Sequence, residues 1–452
     1  MRGRGRTRAF LVISVLALVA LGAGMRAAQA AAPRLAVESV DERFYAALAR
    51  SLVLDHDYGG PSSGLRHPHF AAPGAPVLFA AGYRLTPAPE GRPTDIPAAY
   101  WLLAVAGTIV ILATFLVGRA LGSVAAGVVA AGVVAVYPPL VSTTGELLSE
   151  PLGALLVTAG VLVVVHAQQR ERQRCVALGG VLLACAVLTR PDLLLVPFVI
   201  ALLGSWVWRH HGRSPARSAI LLLGAAIVVL IPWSVFASER AGNAIIVTES
   251  DATTLFIGTY LPADGTLYGL KEAFGEPTRR RVPRLAGRHN QELPGVAVLE
   301  TVRARHPDVG ARQAFLAEAR SNLRRYALGE PLSFGKMLAG KVARMWLTPY
   351  RERSPLVRIL HILIVALSVS GLLLGVLVAR NRPLVLVAGV LASATLVHVL
   401  LVAHPRHNLP LMPLLIVGGC AGFALTFERR RQPQRNATNA SSPVLEPRVG
   451  PT

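Results

Sequence analysis

Apolar residues in this chain repeatedly run unbroken for the length of a bilayer core, and that leaves few ways to fold it. Ten such runs can be marked, at 9–31, 98–118, 122–140, 146–167, 175–189, 191–208, 218–237, 356–379, 383–403 and 408–427. About 20 apolar residues cross the hydrocarbon, and in lipid such a segment satisfies its backbone internally only as a helix. The sequence therefore predicts an all-α polytopic membrane protein of about ten transmembrane helices. Two long polar stretches interrupt the spans. They divide the chain into a first span at 1–31, a first loop at 32–97, spans two to seven at 98–237, a second loop region at 238–355 and spans eight to ten at 356–427. A basic tail at 428–452, rich in Pro, Ser, Asn and Arg, is expected to be disordered. The fifth and sixth runs are short, so a broken or re-entrant pair is expected there. The first run also reads as a signal peptide with Ala28-Gln29-Ala30 at its cleavage site. Cleaved or retained, it delivers the next residues to the outer side.

Charge then sets the orientation. A net charge of +21 would point to nucleic acid in a soluble domain, but here it sorts by loop. With a cytoplasmic N-terminus, 17 basic residues fall in the inner segments and two, Arg190 and Arg406, in the short outer loops. Cytoplasmic loops carry such an excess. The reading is a multi-pass protein of the cell membrane, with both termini inside, both long loops outside and no nucleic-acid partner. Cys175, Cys185 and Cys420 lie in or beside apolar runs and form no CxxC pair, so they imply neither a disulfide framework nor a metal cluster. His67 and His69 are weak metal candidates, because no third ligand stands at a telling spacing. No metal is assigned, and a divalent cation stays open as a cofactor.

Of the 25 acids, 22 fall on or near the outer face in this topology. Several sit where an apolar helix meets that face: Asp41 and Glu42, Glu146 and Glu150, and Asp192. Basic partners stand at the same level, namely Arg190 and His404-Pro405-Arg406-His407. Ionisable groups at a bilayer edge mark a site by default, against the plainer reading of interfacial ion pairs and helix caps. In "VESVDERFYAALARSL", Ser39 to Glu42 fits a capping box, which gives Glu42 a structural reason to be there. Phe44, Leu48 and Leu52 form an apolar stripe behind it. Asp41, at a helix N-terminus that favours negative charge, is the acid left to act. In the second loop region two helices are expected. One carries Leu316, Ala319, Leu323 and Ala327 on its apolar face. The other carries Phe334, Leu338, Val342 and Met345, interrupted by Lys341, with Trp346 at headgroup depth. His166 and His398 are expected to hydrogen-bond neighbouring helices. Gly371, Gly375, Gly127 and Gly132 are expected to permit close helix approach.

An outer-facing acidic pair opening an amphipathic helix just after the first span resembles the GT-C glycosyltransferases. More narrowly, the chain is similar to the family of dolichyl-phosphate-mannose–protein mannosyltransferases and bacterial aminoarabinose transferases. The likeness continues through "RHPHFAAPGAPVLFA", "YPPLVSTTGELLSEPL", "LTRPDLLLVP", "LIPWSVFASERAG" and "HPRHNLPLMPLL". It departs in reading Arg406-His407 where the family often has Arg-Tyr, and His67-Pro68-His69 where a Pro-Pro pair is usual. The resemblance implies a GT-C bundle and transfer of a sugar from a polyprenyl-phosphate donor to a hydroxyl acceptor, with inversion, on the extracytoplasmic face. It implies Asp41, with Glu42 beside it, as the catalytic position. Tyr45, Glu150, Arg190, His404, Arg406 and His407 become candidates for holding the donor, the two arginines for its phosphate. The second loop region would cap the cavity and help to choose the acceptor. The rival class is a transporter or flippase of lipid-linked or envelope components, which would place charges near mid-membrane and show repeats or paired broken helices. The span interiors are nearly free of charge. A ligase of preassembled glycans or a structural partner in envelope assembly are the other readings.

Overall fold

In the computed structural model, residues 2–32, 39–64, 70–89, 91–170, 172–208, 215–351 and 354–440 are described. Among them every regular element is helical. Helix α1 (Arg2–Ala31) is followed by the two helices of the first loop, α2 (Val40–Leu54) and α3 (Gly74–Leu85). Then come α4 (Pro97–Leu121), α5 (Val124–Val136), the short α6 (Pro138–Ser142), α7 (Glu150–Gln169), α8 (Gln173–Thr189), α9 (Val196–Trp208) and α10 (Pro215–Ala241). The second loop region folds as α11 (Asp251–Thr259), α12 (Leu267–Arg281), α13 (Gly295–Arg303), α14 (Ala311–Asn322) and α15 (Pro331–Leu347). Helices α16 (Pro355–Leu377), α17 (Arg382–Leu400) and α18 (Met412–Ala440) close the chain. Seven helices are long and apolar enough to cross a membrane, and α5 with the segment after it makes an eighth, bent, candidate. Arg174–Thr189 and Pro191–Val207 are shorter apolar helices, so all ten marked runs are helical. The tail differs from expectation: α18 continues helically to Ala440, and only 441–452 lie outside the described residues.

The break falls in the third run rather than between the fifth and sixth. Val124–Val136 and Pro138–Gly145 meet at 59°. Pro138 has no N–H and disfavours the helical region for the residue before it, and Tyr137 accordingly sits at φ −65°, ψ 113°. The carbonyls freed by the break are taken by α1. Arg26, 1% exposed, donates to Ala135 O at 3.0 Å, Val134 O at 3.1 Å and Gly22 O at 3.0 Å. Removing α1 would leave the first two buried without that donor, at a cost on the order of 1–3 kcal/mol each. We therefore expect the mature protein to retain α1. Intact-mass measurement should find a chain beginning well before Ala31, and a mass matching a start at Ala31 would refute this.

Close approach is real where glycines face each other. A Cβ on Gly371 would lie 2.3 Å from Gly419 O, and one on Gly422 would lie 1.9 Å from Gly371 O. Thus α16 and α18 touch backbone to backbone. Gly127 is equally tight against Phe115 O at 2.5 Å, whereas Gly132 meets only Leu18, at 3.7 Å, and has room to spare.

The second loop region builds a core of its own from Phe256, Phe274, Leu285, Leu293, Val298, Val302 and Phe315. Its two anticipated helices bury faces that overlap those expected: Ala319, Phe334 and Met345 are buried and Leu316, Ala327 and Leu338 pack partly buried, but each face is shifted. Helix α14 turns in Ala314, Phe315, Ala319 and Asn322, with Leu323 37% exposed, because a π-helical turn at Leu323–Leu328 rotates the chain beyond Asn322. Helix α15 buries Phe334, Met337, Lys341 and Met345. Lys341 is the centre of that face, not an interruption of it. Its Nζ donates to Gly258 O (2.6 Å), Val399 O (3.0 Å) and Leu401 O (2.9 Å). Burial lowers its pKa to about 8, so at neutral pH all three ammonium protons meet a carbonyl. This clamps the loop region onto the end of α17, and Trp346 adds a bond to Thr395 at 3.2 Å.

Candidate active site

Helix α2 starts where the sequence places it. Ser39 accepts from Glu42 N at 3.2 Å, and Glu42 Oε2 accepts from Ser39 N at 2.8 Å. The second carboxylate oxygen of Glu42 accepts from Leu147 N at 3.2 Å. Both oxygens thus hold backbone, one at the helix start and one in the segment leading to α7. Glu42 is buried and fixes where α2 lies. Its neighbour Asp41 points the other way, into an ion pair with Arg406.

Arg406 reaches Asp41 because the chain after α17 turns back through a 3-10 helix, Pro405–Leu411. His404 begins that turn, its Nδ1 accepting from Arg406 N at 3.3 Å while its own N–H donates to His407 Nδ1 at 3.3 Å. Burial, then the Arg406 charge, lowers His404 to about 4, so its ring is neutral and free to accept. His407 stacks on His398 with ring centroids 4.3 Å apart. Through their Nδ1 atoms the two histidines expected to contact the donor also shape the turn that carries Arg406.

Glu150, at the first turn of α7, lies between two guanidinium groups. Its Oε1 is 2.9 Å from Arg190 Nη1 and 3.3 Å from Arg406 Nε. The carboxylate is 1% exposed, and its Oε2 accepts no hydrogen bond among the described residues. Arg190 is held at the α8 end by Asp192 at 3.3 Å and Ser149 Oγ at 3.2 Å. Asp192 is tied in turn to His398 Nε2 at 2.9 Å. Tyr45, one turn beyond Asp41, faces the same charges; burial first, then Asp41, raises its hydroxyl to about 12, so it remains a donor. Asp41, Tyr45, Glu150, Arg190 and Arg406 are thus brought together from α2, α7, the α8 end and the turn before α18.

Sequence reasoning assigns Asp192 and His398 no contact with the donor, although they aim Arg190. Asp192 stands two residues from Arg190, and a histidine in an apolar run carries only a general signal. Glu146 is likewise absent from the expected contacts. It accepts from Tyr350 Oη at 3.0 Å and pairs with Arg351 at 2.9 Å, joining the second loop region to the segment before α7. Burial raises its pKa to about 7. The unfolded carboxyl loses its proton near 4.5 and the folded one near 7, so between those values the unfolded state is the one stabilised by ionisation. Folding stability from this group should fall as pH rises from about 4.5 to 7 and then level off. Burial of His404 works oppositely between about 4 and 6.5. Thermal unfolding of wild type and Glu146→Gln across pH 4.5–7.5 isolates the contribution: the variant should lose the falling component, and parallel curves would sink the assignment.

Among the described residues no group of three or more His, Cys, Asp and Glu side chains is placed to hold a metal ion. The acids at the site face guanidinium groups, so the residues present do not fit a cation. His67 and His69 lie outside the described residues.

The comparisons with known proteins agree with this architecture. Residues 72–237 match the family model described as dolichyl-phosphate-mannose-protein mannosyltransferase. No curated protein matches the sequence. The oligosaccharyltransferase of Archaeoglobus fulgidus in its apo form superposes with a TM-score of 0.55 at 13% identity, covering 96% of this chain and 52% of that one. The same organism's oligosaccharyltransferase AglB, in complex with an inhibitory peptide and a dolichol-phosphate, gives 0.53 at 12% identity, over 95% and 52%. The chain thus spans about half the length of these structures. ArnT from Cupriavidus metallidurans bound to undecaprenyl phosphate overlays more loosely, with a TM-score of 0.40 at 17% identity, over 97% and 81%, too loosely for a residue-level reading. The fold of the chain is that of the GT-C membrane glycosyltransferases.

Proposed function

We propose that this protein transfers a sugar from a polyprenyl-phosphate donor to a hydroxyl acceptor at the extracytoplasmic face, with inversion. The carrying observation is Glu150 Oε1 lying within ion-pair reach of both Arg190 and Arg406 while Arg406 also holds Asp41. This arrangement is poised for partner exchange. A donor phosphate draws the guanidinium groups bidentately, and Arg406, shifting toward it, releases Asp41. Asp41 then takes the proton of the acceptor hydroxyl as that oxygen bonds to the anomeric carbon. The bond from that carbon to the phosphate oxygen breaks, and Arg190 and Arg406 neutralise the leaving lipid phosphate. Glu150 Oε2, which has no donor among the described residues, accepts from a sugar hydroxyl, and Tyr45 donates.

The test is transfer by membranes containing the protein, using defined polyprenyl-phosphate sugars and candidate hydroxyl acceptors. Transfer with inverted configuration supports the reading, and retained configuration refutes it. Orientation is tested separately: reporter fusions after His210 and after Leu270 should report opposite sides. Equal readings would remove the extracytoplasmic assignment.

A further inference from the structure

A second concave surface lies in the loop region, away from the acids of the site. The C-terminus of α12, the 3-10 turn Pro283–Leu285 and the start of α13 enclose a cleft of about 490 Å³ lined by Arg281, Arg284 and Arg288. All three are exposed. Their side chains make no ion pair or hydrogen bond among the described residues. The neighbouring acids are already engaged. Glu276 holds Arg279 and Arg280, Glu300 holds Arg303, and Glu272 accepts from Asn290 and Gln291. Three arginines without an ion partner among the described residues therefore share one hollow with a single carboxylate, Glu300, which is paired with Arg303. They stand on a rigid frame, since Leu285 between them is buried in the loop region's core and Leu285 N and Arg288 N bond back to Val282 O and Leu285 O at 2.9 and 3.0 Å.

Another arginine cluster shows what this one is not. Arg320, Arg324 and Arg325 border a groove along the end of α14, and the same stretch exposes Leu323, Leu328 (79%) and Leu332 (73%). Arginines interleaved with exposed leucines suit a lipid headgroup layer, with the apolar side chains dipping below it. The cleft at Arg281, Arg284 and Arg288 carries a single exposed aliphatic, Val296. It is the more enclosed of the two and carries more arginine than acid, and guanidinium groups pair with carboxylates or phosphates repeated along a chain.

We propose that this cleft binds an acidic glycan and that the acceptor of the transferase is, or is carried on, such a polyanion. The acceptor part rests on the function proposed above; the binding part does not. The full chain in discs of neutral lipid is titrated with a fluorescent oligogalacturonate, alongside a neutral dextran fragment. Wild type should bind the acidic oligomer in a salt-sensitive manner and the dextran at least tenfold more weakly. R281Q/R284Q/R288Q should lose at least tenfold in affinity for the acidic oligomer. R320Q/R324Q/R325Q should stay within twofold of wild type there and lose retention on anionic vesicles. Equal oligogalacturonate binding by the wild type and the cleft variant overturns the proposal. So does a loss of vesicle retention in the cleft variant that matches its loss of glycan binding, which would make the cleft a headgroup contact. Unchanged thermal unfolding excludes misfolding as the cause. Transfer to a small neutral alcohol tests the transferase function by itself: its absence from wild type defeats that assignment and leaves the binding result standing.

Discussion

Asp41→Asn is expected to keep the fold and to lose about a hundredfold to ten-thousandfold in transfer rate, the usual cost of removing a general base. Asn preserves size and a polar oxygen toward Arg406, but cannot accept the hydroxyl proton. Glu42→Gln should behave differently. Its oxygen still accepts one backbone bond, while the other position now offers an NH₂ to a backbone N–H, either at Ser39 or at Leu147. That variant should lose stability, by about 1–3 kcal/mol, and much less rate per folded molecule. Measuring transfer and thermal unfolding on both, at equal amounts of folded protein, separates the two carboxylates. Near-normal turnover by Asp41→Asn, or a larger rate defect in Glu42→Gln, would reverse the assignment.

Arg190→Gln and Arg406→Gln should both weaken donor use, yet only the first should damage the fold severely. Arg190 is 6% exposed and lies against Glu150 and Asp192. Removing it leaves the buried Glu150 and the part-buried Asp192 without that charge, a loss of about 3–5 kcal/mol. Arg406 is 23% exposed and its partner Asp41 is 40% exposed, so water compensates much of that pair's loss, and its other partner, the buried Glu150, keeps Arg190 at 2.9 Å. Adding Glu150→Gln to Arg190→Gln should recover a measurable part of the stability, since one uncompensated charge is then gone. A double variant no more stable than Arg190→Gln alone would show that Glu150 does not depend on Arg190. Arg406→Gln unfolding as easily as Arg190→Gln would show that exposure does not separate them.

The spans, the start of α2 and the pairing of Arg190 with Arg406 at one site are legible in the sequence because each leaves a local trace. A span is a run, a cap is a four-residue pattern, and a lone arginine in a short loop between apolar runs stands out against the arginine-rich loops. Satisfaction of polar groups over long separations leaves no such trace. Arg406 meets Asp41 across 365 positions, and no periodicity encodes that contact. Lys341 reads as a flaw in an apolar stripe because the three carbonyls that accept from it come from α11 and from the end of α17. The bend at Tyr137-Pro138-Pro139 is written in the prolines, but its cost is met by Arg26 in another helix. His404 and His407 have the right chemistry for ligand contacts, and only the folded geometry shows that their Nδ1 atoms also hold the turn.

Arg26 also constrains how the protein is made. Its acceptors at Val134 and Ala135 lie 108 and 109 residues downstream. At about 5–20 residues per second, some 5–20 s pass between the synthesis of the guanidinium and that of the carbonyls it will cap. Through that interval α1 sits in the membrane carrying a charge its final neighbours have not yet arrived to meet, five residues from the end of the helix, where the side chain can reach headgroups. The first helix is therefore a waiting partner: α4 can pack on it early, but its guanidinium finds its acceptors only when the kinked helix is delivered beside it.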